Sequence, residues 1–256
     1  MHMVKLKTDK EIEILKEGGK RLAFILDELE KIVRPGITTH ELNQVCEKMM
    51  REQGGVPVLK GYQPDGSDIP FPAALCTSVN SVVVHGVPND YALQEGDIVG
   101  LDTCFGYQGM ITDSARTVAV GKVSKQDKKL MDVTKEAMYA GIDAARPGKT
   151  THDIGKAVEK VLNSHGYGTP TILGGHGVGY KVHEEPYVPN YDMGKGGTKL
   201  VPGMVITVEP MLIEGGTDDV YTDGKDGYSV YTKDGSKSAH FEHTIVITEK
   251  GAEILT

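Results

Sequence analysis

Four acids stand in runs that otherwise read as apolar strands: Asp102, Asp113, Glu209 and Glu242. A carboxylate buried in a strand is costly unless something compensates its charge, so the four together point to bound cations. His176, in the run GGHGVG, adds a nitrogen donor where glycines let backbone approach closely. Four carboxylates and one imidazole make an oxygen-rich donor set that favours Mn, Fe or Co over a cysteine-type zinc site. Their summed charge balances two divalent ions, and bridging by Asp113 and Glu242 would hold such ions ~3.5–4 Å apart, as in hydrolytic pairs.

Asp102 and Asp113 bracket TCFGYQGMIT, which reads as a β-hairpin. With Tyr107 and Gln108 as its turn, the two aspartates face each other directly, where like charges need a cation between them. A turn shifted by one residue makes the pair diagonal and leaves the metal argument intact. His85 in VVVHGVP and His183 in KVHEEP each follow a valine and precede a proline by three residues, a matched pair of imidazoles.

The elements that would position these residues are written twice. Apolar residues from Thr8 to Val33 recur at helical steps, weakened at Gly18 and Gly19. RPGITTHELNQVCEK at Arg34–Lys48 returns as RPGKTTHDIGKAVEK at Arg146–Lys160, with eight of fifteen positions identical. In the first copy Thr38 and Glu41 form a capping-box start. GDIVGLD ending at Asp102 and GMVITVE ending at Glu209 are each a glycine-initiated strand tipped by an acid. The expectation is one catalytic domain over residues 1–256, built from two pseudo-symmetric α+β halves, about 8–125 and 126–254, with a site between them. Loops are expected at Gln63–Pro72 and Asp192–Thr198, which are rich in Gly, Pro, Asp and Ser.

Composition narrows the function. A chain of 256 residues can bury roughly 70–75% of its unfolded surface, enough for a stable enzyme-sized fold. Its net charge of −8 argues against a nucleic-acid or anionic-membrane binder and fits cationic partners. Three cysteines without CxxC spacing indicate neither a disulfide framework nor a cysteine zinc finger, and a reducing cytoplasm is the simplest home. No apolar run is long enough for a membrane span, and the N-terminus lacks a signal-peptide core.

VVVHGVP, the aspartate pair, GGHGVGYKVHEEP, GMVITVEP and HFEHTIVITEKG, in that order, resemble the type I, bacterial-like methionine aminopeptidases of the pita-bread metallopeptidases. The resemblance covers nearly the whole chain. It implies an α+β pita-bread fold with an internal pseudo-two-fold and an antiparallel-rich central sheet covered by helices. It implies two divalent ions (Co, Mn, Fe or Zn), with Asp102 on one, Asp113 and Glu242 bridging, and His176 and Glu209 on the other.

Removal of the initiator methionine by a dinuclear-metal hydroxide follows from that likeness. Glu209 would shuttle the proton, while His85 and His183 bind the substrate's amide and carbonyl sides. Tyr62, Cys76, Val182 and Tyr228 would line the methionine pocket. At Val182 the family often has Phe, at Tyr228 often Trp, and Gln63–Leu75 is longer than in the commonest bacterial form. Cys104, where Thr is frequent, reads as a small buried hydrophobe. His40, His152, His165, His240 and His243 read as caps, surface residues or hydrogen-bonding residues behind the ligands. The implied partner is the N-terminal Met of nascent polypeptides, met with or without a transient ribosome contact, by a cytoplasmic monomer without nucleic-acid specificity or membrane attachment.

The type I assignment rests on a chain that starts at the catalytic domain and on the short spacing from His183 to Glu209. Two alternatives share the motifs: an X-Pro aminopeptidase or prolidase, which usually carries a large N-terminal domain, and a non-catalytic binding module, which usually loses metal ligands. A third, an acidic globular domain with merely solvated carboxylates, sits poorly with the duplicated motifs.

Overall fold

The computed structural model describes residues 4–64 and 69–256. Within these, four helices form: α1 (Asp9–Ile32), α2 (Thr39–Glu52), α3 (Lys125–Ala144) and α4 (Thr151–His165). Each starts with a reciprocal capping box, Thr8 with Glu11, Thr38 with Glu41, Ser124 with Asp127, and Thr150 with Asp153. Gly18 and Gly19 do not interrupt α1. They let it press on its neighbours: a Cβ on Gly19 would stand 2.0 Å from the Leu255 carbonyl oxygen.

Fourteen strands follow the chain: β1 (Val56–Pro57), β2 (Cys76–Val79), β3 (Val82–Val84), β4 (Ile98–Tyr107), β5 (Met110–Ala119), β6 (Gly175–Gly177), β7 (Glu184–Val188), β8 (Val205–Val208), β9 (Met211–Ile213), β10 (Val220–Thr222), β11 (Val230–Thr232), β12 (Ser238–His240), β13 (Glu242–Thr248) and β14 (Gly251–Ile254). Nine of them make one antiparallel sheet with the central order β1-β4-β5-β13-β8-β6-β7, while β2 pairs with β4 and β14 with β13. Smaller sheets, β10-β11-β3 and β12-β9, flank it.

The repeat in the sequence reappears in the backbone. Gly36 and Gly148 both take φ near +85°, and their N–H groups donate to Leu93 and Leu200. Gly96 and Gly203, which open the two acid-tipped strands, also have positive φ and donate to Val120 and Ile247. Glycine is required at such turns because a Cβ makes the left-handed region unfavourable. Leu22, Ile25, Leu26 and Leu29 of α1 pack with Leu42, Cys46 and Met50 of α2 against Leu101 and Phe105 of β4. Met138, Ile142 and Ile154 from α3 and α4 pack against Ile206 and Val208 of β8 and Ile245 of β13. The apolar interior thus lies between the sheet and its helices.

The β4–β5 hairpin departs from the facing-aspartate register. Its turn is Gln108-Gly109, with φ of +47° and +82°, so Tyr107 pairs with Met110. Two consecutive positive-φ residues suit the right-handed strand twist, and glycine at the second position makes that turn cheaper than one at Tyr107-Gln108. Asp102 therefore pairs with Ala115 and Asp113 with Cys104, and the two carboxylates are diagonal neighbours. Of the expected loops, Asp192–Thr198 is irregular as predicted, and residues 65–68 of Gln63–Pro72 lie outside the described residues. The flanks of the latter are joined by backbone hydrogen bonds from Gly61 to Phe71 and from Phe71 to Tyr62.

Candidate metal centre

Five neighbouring strands each deliver one predicted ligand. Asp102 lies on β4, Asp113 on β5, Glu242 on β13, Glu209 at the end of β8 and His176 on β6, in the order the strands stand in the sheet. Burial alternates from His240 to Thr244, so His240, Glu242 and Thr244 point inward together while Phe241 and His243 face the other side. One donor atom each from Asp113, His176 and Glu242 falls within 4.8 Å of the others. His176 Nε2 stands 3.3 Å from Glu209 Oε1 and 3.9 Å from Asp113 Oδ2.

Neighbouring groups fix these side chains. The His176 backbone N–H donates to Thr207 Oγ1, whose hydroxyl donates to Glu209 Oε1 at 2.6 Å. His176 Nδ1 lies 2.9 Å from the Gly177 carbonyl oxygen, so it carries the proton and leaves the Nε2 lone pair facing the carboxylates. Thr244 Oγ1 donates to the Asp113 carbonyl and accepts its N–H. The Cys104 thiol is buried, as expected, and it also donates to Asp113 Oδ2 at 2.9 Å.

Burial favours the neutral form of every acid in the cluster. Burial, reinforced by the Asp113 charge, pushes Asp102 up to about 8. Burial likewise raises Asp113 to about 7 and Glu209 to about 8, and it holds Glu242 well above the usual carboxylate range. His176 is driven down to about 3, first by burial and then by the neighbouring His183.

The remaining predicted residues surround this cluster. His85 sits at φ +58° directly after β3, and burial lowers it to about 4. His183 lies edge-on to His176, ring centres 4.3 Å apart, and its Nδ1 is 2.8 Å from the Tyr62 hydroxyl. Tyr62, Cys76, Val182 and Tyr228 line a chamber of about 140 Å³ that ends on Asp102, Asp113 and Glu242. A wider groove of about 740 Å³ reaches the same His85, Asp102, His176, His183 and Glu209 from outside.

All the predicted residues thus converge. Leu59 and Phe71 complete the chamber wall without having been expected, Phe71 meeting Tyr228 edge-on at 5.1 Å. Phe71 falls in a stretch that reads as loop, and a lone Phe there carries no periodic signal. His240 also enters the site, with Nε2 3.6 Å from Glu209 Oε2. Its place two residues before Glu242 on an alternating strand was the available clue.

Residues 13–249 match the family described as Metallopeptidase family M24. A methionine aminopeptidase of Aquifex aeolicus is 45% identical over 99% of this chain and 98% of its own length. The chain belongs to metallopeptidase family M24. Within M24, the crystal structure of methionine aminopeptidase from Rickettsia prowazekii matches with a TM-score of 0.94 at 38% identity, covering 99% of this chain and 100% of that one. The prolidase from Pyrococcus furiosus matches with a TM-score of 0.76 at 26% identity, and the overlap covers 98% of this chain but 65% of that one. The fold is the pita-bread fold, and the chain is a metal-dependent hydrolase of the methionine aminopeptidase branch.

The residues present fit an M24 metal centre. Asp113 Oδ1, Glu242 Oε1 and His240 Nε2 are buried with no hydrogen-bond partner among the described residues. Buried polar atoms are nearly always satisfied, so unsatisfied oxygens on two facing carboxylates mark where a cation completes the site.

Proposed function

We propose that this enzyme removes N-terminal methionine from peptides and nascent chains, as a type I methionine aminopeptidase of the cytoplasm acting as a monomer. The observation that carries the reading is the chamber. It is narrow, walled by Leu59, Phe71, Cys76, Val182 and two tyrosines, and closed at the carboxylate end. An unbranched thioether side chain suits such a wall, because it is flexible and polarizable enough to fill an irregular apolar space. The rest of the polypeptide would leave through the wider groove.

Asp102 would hold one divalent ion, Asp113 and Glu242 would lie between two, and His176 with Glu209 would hold the second. Ions held there lower the pKa of water and polarise the scissile carbonyl. Glu209, oriented by the Thr207 hydroxyl, takes the proton from the attacking water and returns it to the departing amine. Tyr62 occupies Nδ1 of His183, which leaves Nε2 for the substrate carbonyl and for the negative charge that grows on it. His85, buried and held neutral, hydrogen-bonds the amide side. The free α-amino group sits toward Asp102, which restricts cleavage to the first residue.

The test is release of the first residue from Met-Gly-Met-Met and from Gly-Pro-Ala by chelator-stripped protein, before and after Mn or Co is added. Metal-dependent cleavage of the methionyl peptide alone is expected. Cleavage of the prolyl peptide instead moves the enzyme to the X-Pro branch, and inactivity on both overturns the proposal.

A further inference from the structure

Lys7 is a cation almost without solvent. Its side chain is 2% exposed, and its Nζ lies 2.7 Å from Glu184 Oε2. Glu184 follows His183 directly, and its second oxygen, Oε1, accepts the backbone N–H groups of Tyr180 and Lys181. One carboxylate therefore ties the segment ahead of α1 to the turn that carries Val182 and His183.

Other contacts join the two segments to each other or anchor them to their surroundings. Lys5 Nζ stands 3.5 Å above the Tyr180 ring, and the Tyr180 hydroxyl donates to Glu11 in the capping box of α1. The Lys7 backbone N–H donates to the Gly203 carbonyl, and Gly179 at the start of the turn accepts from Ile111 of β5. Lys5, Tyr180, Lys181, His183 and Glu184 thus lie along one wall of the wide groove, with Lys7 buried behind Glu184.

Holding two surfaces together does not require a buried charge, since an apolar pair of similar volume does so without the desolvation penalty. What the ion pair adds is direction. A carboxylate that accepts one ammonium and two adjacent N–H groups admits few conformations of the turn, and the residue before it is His183.

We propose that Lys7 and Glu184 are positioning residues: their ion pair sets the conformation of the 179–184 turn and so presents His183 to the substrate. The inference rests on the reading of His183 as a substrate-binding group. Lys7 touches no reacting atom, and its effect passes through the turn.

The test uses the full-length, metal-loaded protein and Met-Gly-Met-Met, with Lys7→Met, Lys7→Arg, Glu184→Gln, His183→Ala and the double variant Lys7→Met with His183→Ala. Lys7→Met is expected to lower kcat about 10- to 100-fold, in line with the sensitivity of catalysis to small displacements, with KM changed less than its kcat. Lys7→Arg should restore most of the loss. Glu184→Gln keeps the side-chain shape and serves if Lys7→Met folds poorly; it should reproduce the loss. Hydrogen exchange should quicken in the amides of 179–184 in both charge-removing variants.

The double variant decides the mechanism. Turnover no lower than that of His183→Ala alone supports a role exerted through His183. Losses that multiply, or exchange in 179–184 that does not change, overturn it. Full activity of His183→Ala is a separate result, which removes the reading of His183 and the role of the pair with it.

Discussion

Asp102 and Glu242 stand in one row of the sheet, each the cross-strand partner of Ala115. Directly paired residues project from the same face, so the two carboxylates flank a single methyl group, with Asp113 two residues further along β5 on that face. The space over Ala115 would be the floor of the proposed metal centre.

Filling that space should therefore unseat the metal. Ala115→Leu is expected to weaken divalent-ion binding at least 10-fold, because its side chain has only the gap between the acids to enter. Calorimetric titration with Mn(II) measures the loss, and circular dichroism should show the fold retained. Unchanged affinity would place the ions elsewhere.

The acids should oppose each other when no ion is present. At about pH 8.5, above the folded-state values of Asp102, Asp113 and Glu209, Asp113→Asn removes one charge from a buried cluster whose other members remain, so the chelator-treated variant should melt higher than the chelator-treated parent. With Mn or Co added the order should reverse, because the parent gains binding energy that the variant cannot. Scanning calorimetry with and without chelator reads both comparisons.

Stability of the metal-free protein should also fall on the alkaline side of about pH 6.5. Asp102, Asp113 and Glu209 have folded-state values of about 8, 7 and 8, above their ordinary ones near 4, so their contribution is full below about pH 4 and is lost steadily as pH rises from there through 7 to 8. His85 and His176 have folded-state values of about 4 and 3, below the ordinary 6.5, so they destabilise the fold as pH falls below that value. His243, lowered to about 4, adds to that effect, so between about pH 4 and 6.5 the histidines and the carboxylates act in opposite directions; above about 6.5 only the carboxylate loss remains, and the melting temperature of metal-free protein should fall from there toward pH 8. Metal loading should flatten the alkaline limb, and at pH 7 it should release protons, detectable as a buffer-dependent binding enthalpy.

The acids were legible in the sequence because strands rarely bury carboxylates, and His176 because glycines surround it. The repeat was legible because the same helix start and the same acid-tipped strand each occur twice. The hairpin register was not, since choosing Gln108-Gly109 over Tyr107-Gln108 depends on the fit of turn twist to strand twist. Nor was the full chamber wall, because Leu59 and Phe71 reach it from irregular backbone that has no period to read. The Lys7–Glu184 pair joins residues 177 positions apart, and although Glu184 lies within KVHEEP, nothing local to it points to Lys7.

The chamber wall gives a specificity prediction. Phe71→Ala deletes a buried ring, 3% exposed, at the edge of the space assigned to methionine. With the wall opened, kcat/KM for methionyl peptides should fall about 10-fold or more, as expected when a truncated residue leaves a partly collapsed cavity. Peptides beginning with a bulkier unbranched side chain should lose less. A uniform loss across both substrates would mean that Phe71 supports the fold rather than the pocket.

The five ligand-bearing strands have a consequence for how the protein comes into being. Pairing of β5 with β13 joins residues well over a hundred positions apart, and His176 arrives from a third region of the chain. Such distant pairings form late, after the entropy of closing large loops has been overcome. No short fragment of the nascent polypeptide holds enough donors to capture an ion, so metal cannot template this fold as it does in a zinc finger. The expected order is assembly of the apoprotein first and capture of metal afterwards, so that metal supply governs activity and adds stability to the finished fold without directing its formation.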